Sequence, residues 1–180
     1  MRLGAVILAC AFAFLALALF DVNDVSAQKK KKTEEPPPPK KEDAPKLIKM
    51  LESTSAMNRA NAAEQLGRLG QIQLIYVKDA IEPLIDLVKK DPDANVRRAS
   101  AQALGRIGPD PEKTVPALTD ALKDKSFDVG LAAVTALGQY GPEARSAVPA
   151  LREFSKAKAD KKTSQIVNSA IQSIVGKKKG

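Results

Sequence analysis

Arginine and lysine at patterned positions are the side chains of this chain best suited to act on a partner. Arg68 and Arg106 share a Gly-Arg-aliphatic-Gly context near the ends of helical segments, and Lys123, Lys125, Lys156, Lys158, Lys161 and Lys162 cluster in turns near the C-terminus. Their chemistry is anion recognition: a guanidinium grips a carboxylate or phosphate through two parallel hydrogen bonds, and an ammonium acts as a point charge. Each set also has an ordinary structural role. Arg68 and Arg106 complement the helix dipole by a few tenths of a kcal/mol, and lysines in turns are solvated. Arg59, Arg97 and Arg98, early in second helices, are expected to pair with acids of an adjacent turn, Asp93 or Asp128.

Other chemistry is scarce. The sequence has no His, and its single cysteine, Cys10, lies in an apolar leader. Once the leader is removed, neither thiol nor imidazole remains, which excludes disulfides, Cys/His zinc sites, Ser-His-Asp triads and Cys-His dyads. No acidic pair recurs at a suggestive spacing. The expectation is a protein without catalytic residues, metal or cofactor.

The elements that position these cations repeat. Pro83, Pro116 and Pro149 are 33 residues apart, as are Leu104 and Leu137. A period in this range denotes stacked supersecondary units. From each proline, apolar residues follow at +1, +2 and +5: Leu84, Ile85, Val88; Ala117, Leu118, Ala121; Ala150, Leu151, Phe154. Proline loses no hydrogen bond in a first helical turn, so each is expected to mark a helix start. A second stripe, Val96, Ala99, Ala103, Leu104, Ile107, is matched by Val129, Ala132, Ala136, Leu137, Tyr140. Its period near 3.6 predicts a second helix per unit. Gly105, Gly108, Gly138 and Gly141 are expected to end or loosen these helices.

The ends of the array are looser. Arg59 to Leu69 form a degenerate second helix behind the hydroxyls of Ser53 to Ser55, with Asn58 and Asn61 at positions that are apolar in later copies. Polar residues there suit a capping unit. Leu66 to Leu104 spans 38 residues, and the excess lies in Gln71 to Ala80, a longer helix or a loop. The last helix runs from Thr163 to Val175 with the face Ile166, Val167, Ala170, Ile171, Ile174. With 44% hydrophobic but only 4% aromatic residues, small aliphatics must fill the core. The fold class is all-α, a short α-solenoid of about four stacked helix pairs.

Residues 1–27 have the pattern of a signal peptide: Arg2, the apolar run Leu3 to Phe20, and Val25-Ser26-Ala27 before Gln28. The alternative is an uncleaved membrane anchor over residues 3–20, since about 18 apolar residues can span a bilayer. Residues 28–45, with Lys29 to Lys32 and Pro36 to Pro39, form a Lys/Pro-rich disordered linker held extended by polyproline conformation and like charges. The repeat domain occupies 46–176, and 177–180 is a basic tail. Formal charge is +8; losing Arg2, Asp21 and Asp24 with the leader makes it +9, which favours anionic partners.

The copies resemble the short HEAT-like repeats of the type found in phycobilin lyases and in many bacterial proteins. Asp93, Val96, Arg97, Ala101, Ala103, Leu104, Gly105, Ile107 and Gly108 match the family's second-helix pattern, and Val115-Pro116-Ala117-Leu118 and Val148-Pro149-Ala150-Leu151 match its helix start. The resemblance implies an α-solenoid. Gly130 departs from it by standing where Arg97 stands one unit earlier. The expected function is an exported (periplasmic, envelope or secreted), monomeric, non-catalytic scaffold that binds a protein partner through its concave face. The alternatives are binding of a polyanion, nucleic acid or envelope polymer, through the lysine edges, and a lyase-like accessory role. Membrane contact is expected only through an uncleaved N-terminal segment.

Overall fold

The computed structural model describes residues 40–108, 110–157 and 160–176, all within one compact unit. The leader, the linker up to residue 39, Lys158 and the tail 177–180 lie outside the described residues. Among the described residues there are eight α-helices, α1 (Ala44–Met50), α2 (Ala56–Ile72), α3 (Ile81–Lys90), α4 (Ala94–Ile107), α5 (Pro111–Ala121), α6 (Phe127–Tyr140), α7 (Val148–Ala157) and α8 (Lys161–Val175). The same residues also form three 3-10 segments, Lys41–Asp43, Leu74–Ala80 and Gly141–Ala147, and no strand. The helical chain starts before residue 46, since Ala44 is already buried.

The eight helices form four pairs, giving the all-α solenoid the repeat implies. The even-numbered helices stack directly, α2 on α4, α4 on α6 and α6 on α8. In the other layer α3 meets α5, whereas the 3-10 segments come between α1 and α3 and between α5 and α7. Both repeated apolar stripes are buried, apart from Ala150, which is half-buried. Removal of this surface from water, at about 25 cal/mol per Å², is what holds the pairs together.

Glycine has a different role from the one expected at Gly105 and Gly138. Both lie inside their helices, which continue to Ile107 and Tyr140. A Cβ on Gly67 would stand 2.8 Å from Ala103 Cα, one on Gly105 2.7 Å from Ala136 Cα, and one on Gly138 3.1 Å from Ala170 Cβ. Each glycine thus admits the alanine of the next unit against its backbone, drawing the even-numbered helices together. The chain breaks are made one turn later: Gly108 adopts φ 58° as a left-handed cap and accepts no helix beyond it.

Proline also departs from expectation in one unit. Pro83 and Pro149 fall in the first turns of α3 and α7, but Pro116 lies inside α5, which begins at Pro111 behind the N-cap Asp110. The Asp110 side chain accepts from Glu112 N at 3.1 Å, and Pro111 presets the first turn, so the helix starts early. In the neighbouring units the turn before the proline is 3-10 instead. Gln71 to Ala80 likewise adds mainly the 3-10 segment, leaving Ile72 and Ile75 65% and 69% exposed. Ser55 precedes α2 but its hydroxyl makes no capping bond; Ser53 Oγ accepts from Ser55 N and Asn58 Nδ2 instead.

Candidate functional site

Two arginines staple successive units along one edge, where the two helices of each pair are joined. Arg59, in the first turn of α2, places Nε 2.7 Å from Asp91 Oδ2 and Nη2 2.9 Å from Oδ1, while its Nη1 donates to Ser53 O and Thr54 O. Arg97, in the first turn of α4, repeats this with Asp124 at 2.7 and 2.9 Å and with Asp91 O and Pro92 O. Each guanidinium therefore ties the turn of its own unit to the aspartate of the next. Each aspartate also accepts the N–H two residues on, Asp93 N at 2.9 Å and Ser126 N at 2.7 Å. The expected pairing with acids holds for Arg59 and Arg97, with Asp91 and Asp124 as partners rather than Asp93 or Asp128, whereas Arg98 lines a groove between α4 and α6. Asp93 instead caps α4, accepting from Asn95 N and Val96 N.

These contacts set the charges. Burial pushes the Asp91 carboxyl up, but the hydrogen bonds from Arg59 and Asp93 N outweigh it and the net displacement is downward. The Arg97 hydrogen bond, against burial, holds Asp124 below the usual carboxylate range, and both guanidinium groups are raised by their partners. The pairs are charged at neutral pH and belong to the framework.

The ladder ends at the third junction, and both of its members are missing there. One period after Arg97 stands Gly130, and one period after Asp124 stands Ala157. Phe154 occupies the vacated space: a Cβ on Gly130 would come 2.6 Å from its Cε2. Phe127 stacks on Phe154 with ring centroids 6.0 Å apart and planes 7° from parallel. Beside the two rings opens a cleft of about 280 Å³ lined by Leu122, Lys123, Asp124, Phe127, Ala150, Glu153, Phe154 and Ala157.

Five of the lysines singled out from sequence are among the described residues, in or beside the turns that join α5 to α6 and α7 to α8. Lys123 lines the cleft; Lys125 is exposed in the same turn, Lys156 in the last turn of α7, and Lys161 and Lys162 in the first turn of α8. Asp160 caps α8 by accepting from Thr163 N at 2.9 Å, and the Thr163 hydroxyl together with that N–H holds its carboxyl low. Arg68 and Arg106 sit elsewhere, half-buried in α2 and α4. The Arg106 stem passes over Gly67, its Cδ 3.6 Å from the place of a Cβ there. The sequence alone did not disclose the cleft, although Gly130 signalled the interrupted pattern.

A second kind of site recurs between the even-numbered helices. Arg98, Gln102, Asp128, Leu131, Ala132 and Thr135 line a groove of about 300 Å³ between α4 and α6. Thr135, Gly138, Gln139, Ile166, Ser169, Ala170 and Ser173 line one of about 310 Å³ between α6 and α8. Among the described residues no group of carboxylates is arranged to hold a metal ion, and no helix is long and apolar enough to cross a membrane.

The pattern of HEAT repeats matches residues 44–113 and 81–172, which together cover most of the chain. The chain belongs to the HEAT repeats family. Solved structures place these HEAT repeats beside other helical arrays. A designed armadillo repeat protein in complex with the peptide (KR)4 is 19% identical, with 76% of this chain and 70% of that chain covered and a TM-score of 0.60. An engineered protein is 23% identical over 73% of this chain, TM-score 0.56, and is matched over only 62% of its own length. The complex of CpcE and CpcF of phycocyanin lyase from Nostoc sp. PCC7120 is 22% identical, with 72% of this chain and 98% of that chain covered and a TM-score of 0.50. At these identities the likeness is one of fold. No curated protein matches the chain.

Proposed function

We propose that this HEAT-repeat chain is a non-catalytic scaffold that binds an extended segment of a protein partner along its even-numbered helices. The observation that carries this reading is the pair of similar grooves at successive junctions of that layer. Their floors are alanine and glycine, and their walls carry Arg98, Gln102, Gln139, Ser169 and Ser173, polar side chains that the core does not use. Such a surface offers hydrogen bonds at regular intervals to a peptide backbone and its side chains. The peptide held by the designed armadillo protein supports the reading by analogy of fold.

Export is part of the proposal: residues 1–27 carry the domain out of the cytoplasm and residues 28–45 hold it away from its point of release or attachment. Mass spectrometry of the protein isolated from cell fractions checks this, with a mature chain beginning at Gln28 outside the cytoplasm as the expected result. For the surface, a photocrosslinking residue placed at Gln102 or Gln139 should capture a partner in cells, while one at Lys89, exposed on α3, should not. Capture from Lys89 alone would put binding on the wrong layer.

A further inference from the structure

The cleft at the end of the ladder is a second site, separate from the grooves between the even-numbered helices. Gly130, Phe154, Ala157 and Phe127 stand where the preceding unit has Arg97, Ala121, Asp124 and Ala94. Four departures from the repeat thus meet at one junction. Phe127 remains 37% exposed, whereas Phe154 is 7% exposed, so Phe154 fills the core gap and Phe127 is the more accessible ring. An open apolar cleft beside an exposed aromatic is a place for a partner's side chain. At about 280 Å³ it has room for one large apolar side chain.

Charge indicates what flanks that side chain. Lys123 is in the wall, with Lys125 and Lys156 adjoining in sequence the residues around it and Lys161 and Lys162 in the next turn. Of the two carboxylates in the lining, Asp124 is taken by Arg97, which leaves Glu153. Glu153 can accept a backbone N–H, a donor that a peptide main chain offers and a sugar-phosphate backbone does not, so a peptide fits better than a nucleic acid. We infer that this edge docks an acidic peptide segment carrying a bulky apolar residue, with the apolar side chain against Phe127 and the acids over the lysine rim.

Fluorescence anisotropy with the full chain tests it. The probe is a fluorescein-labelled peptide Glu-Asp-Phe-Glu-Asp, compared with versions having Ala for Phe or Lys for every acid. Loss of the ring should weaken binding about tenfold or more, and the lysine version should not bind. Lys123→Glu should weaken the acidic probe about fivefold. Ala157→Trp, at an exposed helix end, should abolish binding without changing the melting curve, and the pair Arg98→Ala, Gln139→Ala should leave it unchanged. The inference is overturned if the acidic probe does not bind, if its Ala version binds equally well (a charged edge only), or if the lysine version does (an apolar site only). It is equally overturned if oligo(dT) displaces the probe more strongly than unlabelled peptide, or if Ala157→Trp leaves binding intact. Failure here leaves the grooves of α4, α6 and α8 unaffected, because the Arg98 and Gln139 variants report on them separately.

Discussion

Arg97 makes four hydrogen bonds from a nearly buried position, two to Asp124 and two to the carbonyls that close its own turn. Removing it strands a carboxylate and two acceptors, so Arg97→Ala should cost about 3 kcal/mol in urea unfolding. Arg97→Lys should recover little, because an ammonium cannot span the fork. The same pair predicts a pH dependence. Asp124 and Asp91 have depressed folded-state values, so their contribution is complete above the unfolded carboxylate value near about 4 and is lost as pH falls through the folded ones. The stability gap between the natural chain and Asp124→Asn should therefore be large at neutral pH and close progressively in acid. A gap independent of pH would show that the carboxylate charge is not what the ladder uses.

At the scale of the element, Gly67, Gly105 and Gly138 do the same work with different tolerances. An added methyl at Gly105 meets backbone at 2.7 Å, while at Gly138 the nearest atoms are 3.1 and 3.2 Å away. Overpacking costs about 1–3 kcal/mol, and alanine regains about 1 kcal/mol of helix propensity over glycine. Gly105→Ala should therefore destabilise by about 2 kcal/mol, Gly67→Ala by somewhat less, and Gly138→Ala by close to nothing, as read by chemical denaturation. Sequence periodicity revealed which residues of these helices are buried, because period 3.6 reports burial directly. It did not reveal why the glycines recur: an Ala-Leu-Gly run resembles a helix end, and the alanine that meets each glycine lies in the next helix. The outer described units make the point. Gln65 takes the place of that alanine in the first of them, and Gln172 takes the place of the glycine in the last. Pro116 misled for a similar reason, since Asp110 and Pro111 nucleate α5 before it.

Over the whole molecule, stability is shared between neighbours, as in any linear array. Deleting α8 removes the cover of Gly138 and the contacts of Val167, Ala170 and Ile174. Fast amide hydrogen exchange should then spread through residues 141–157, which lean on α8, while α4, enclosed between α2 and α6, keeps its protection. The solenoid was legible from the 33-residue interval. The cleft was not, because Gly130 and Phe154 are 24 residues apart in sequence and become one site only when α7 lies against α6. The acid partners of Arg59 and Arg97 were misplaced because an arginine side chain reaches past the adjacent helix cap to the turn behind it.

The central claim is that a partner segment lies along the even-numbered helices. Its most direct test is the amide-exchange and affinity footprint of a partner recovered by crosslinking, measured on the natural chain and on the variant Arg98→Ala, Gln139→Ala. The expected result is protection on α4, α6 and α8, together with an affinity loss of about tenfold or more in the variant, as for two interface hydrogen-bonding groups. Protection confined to α3, α5 and α7, with affinity unchanged by both substitutions, would contradict it.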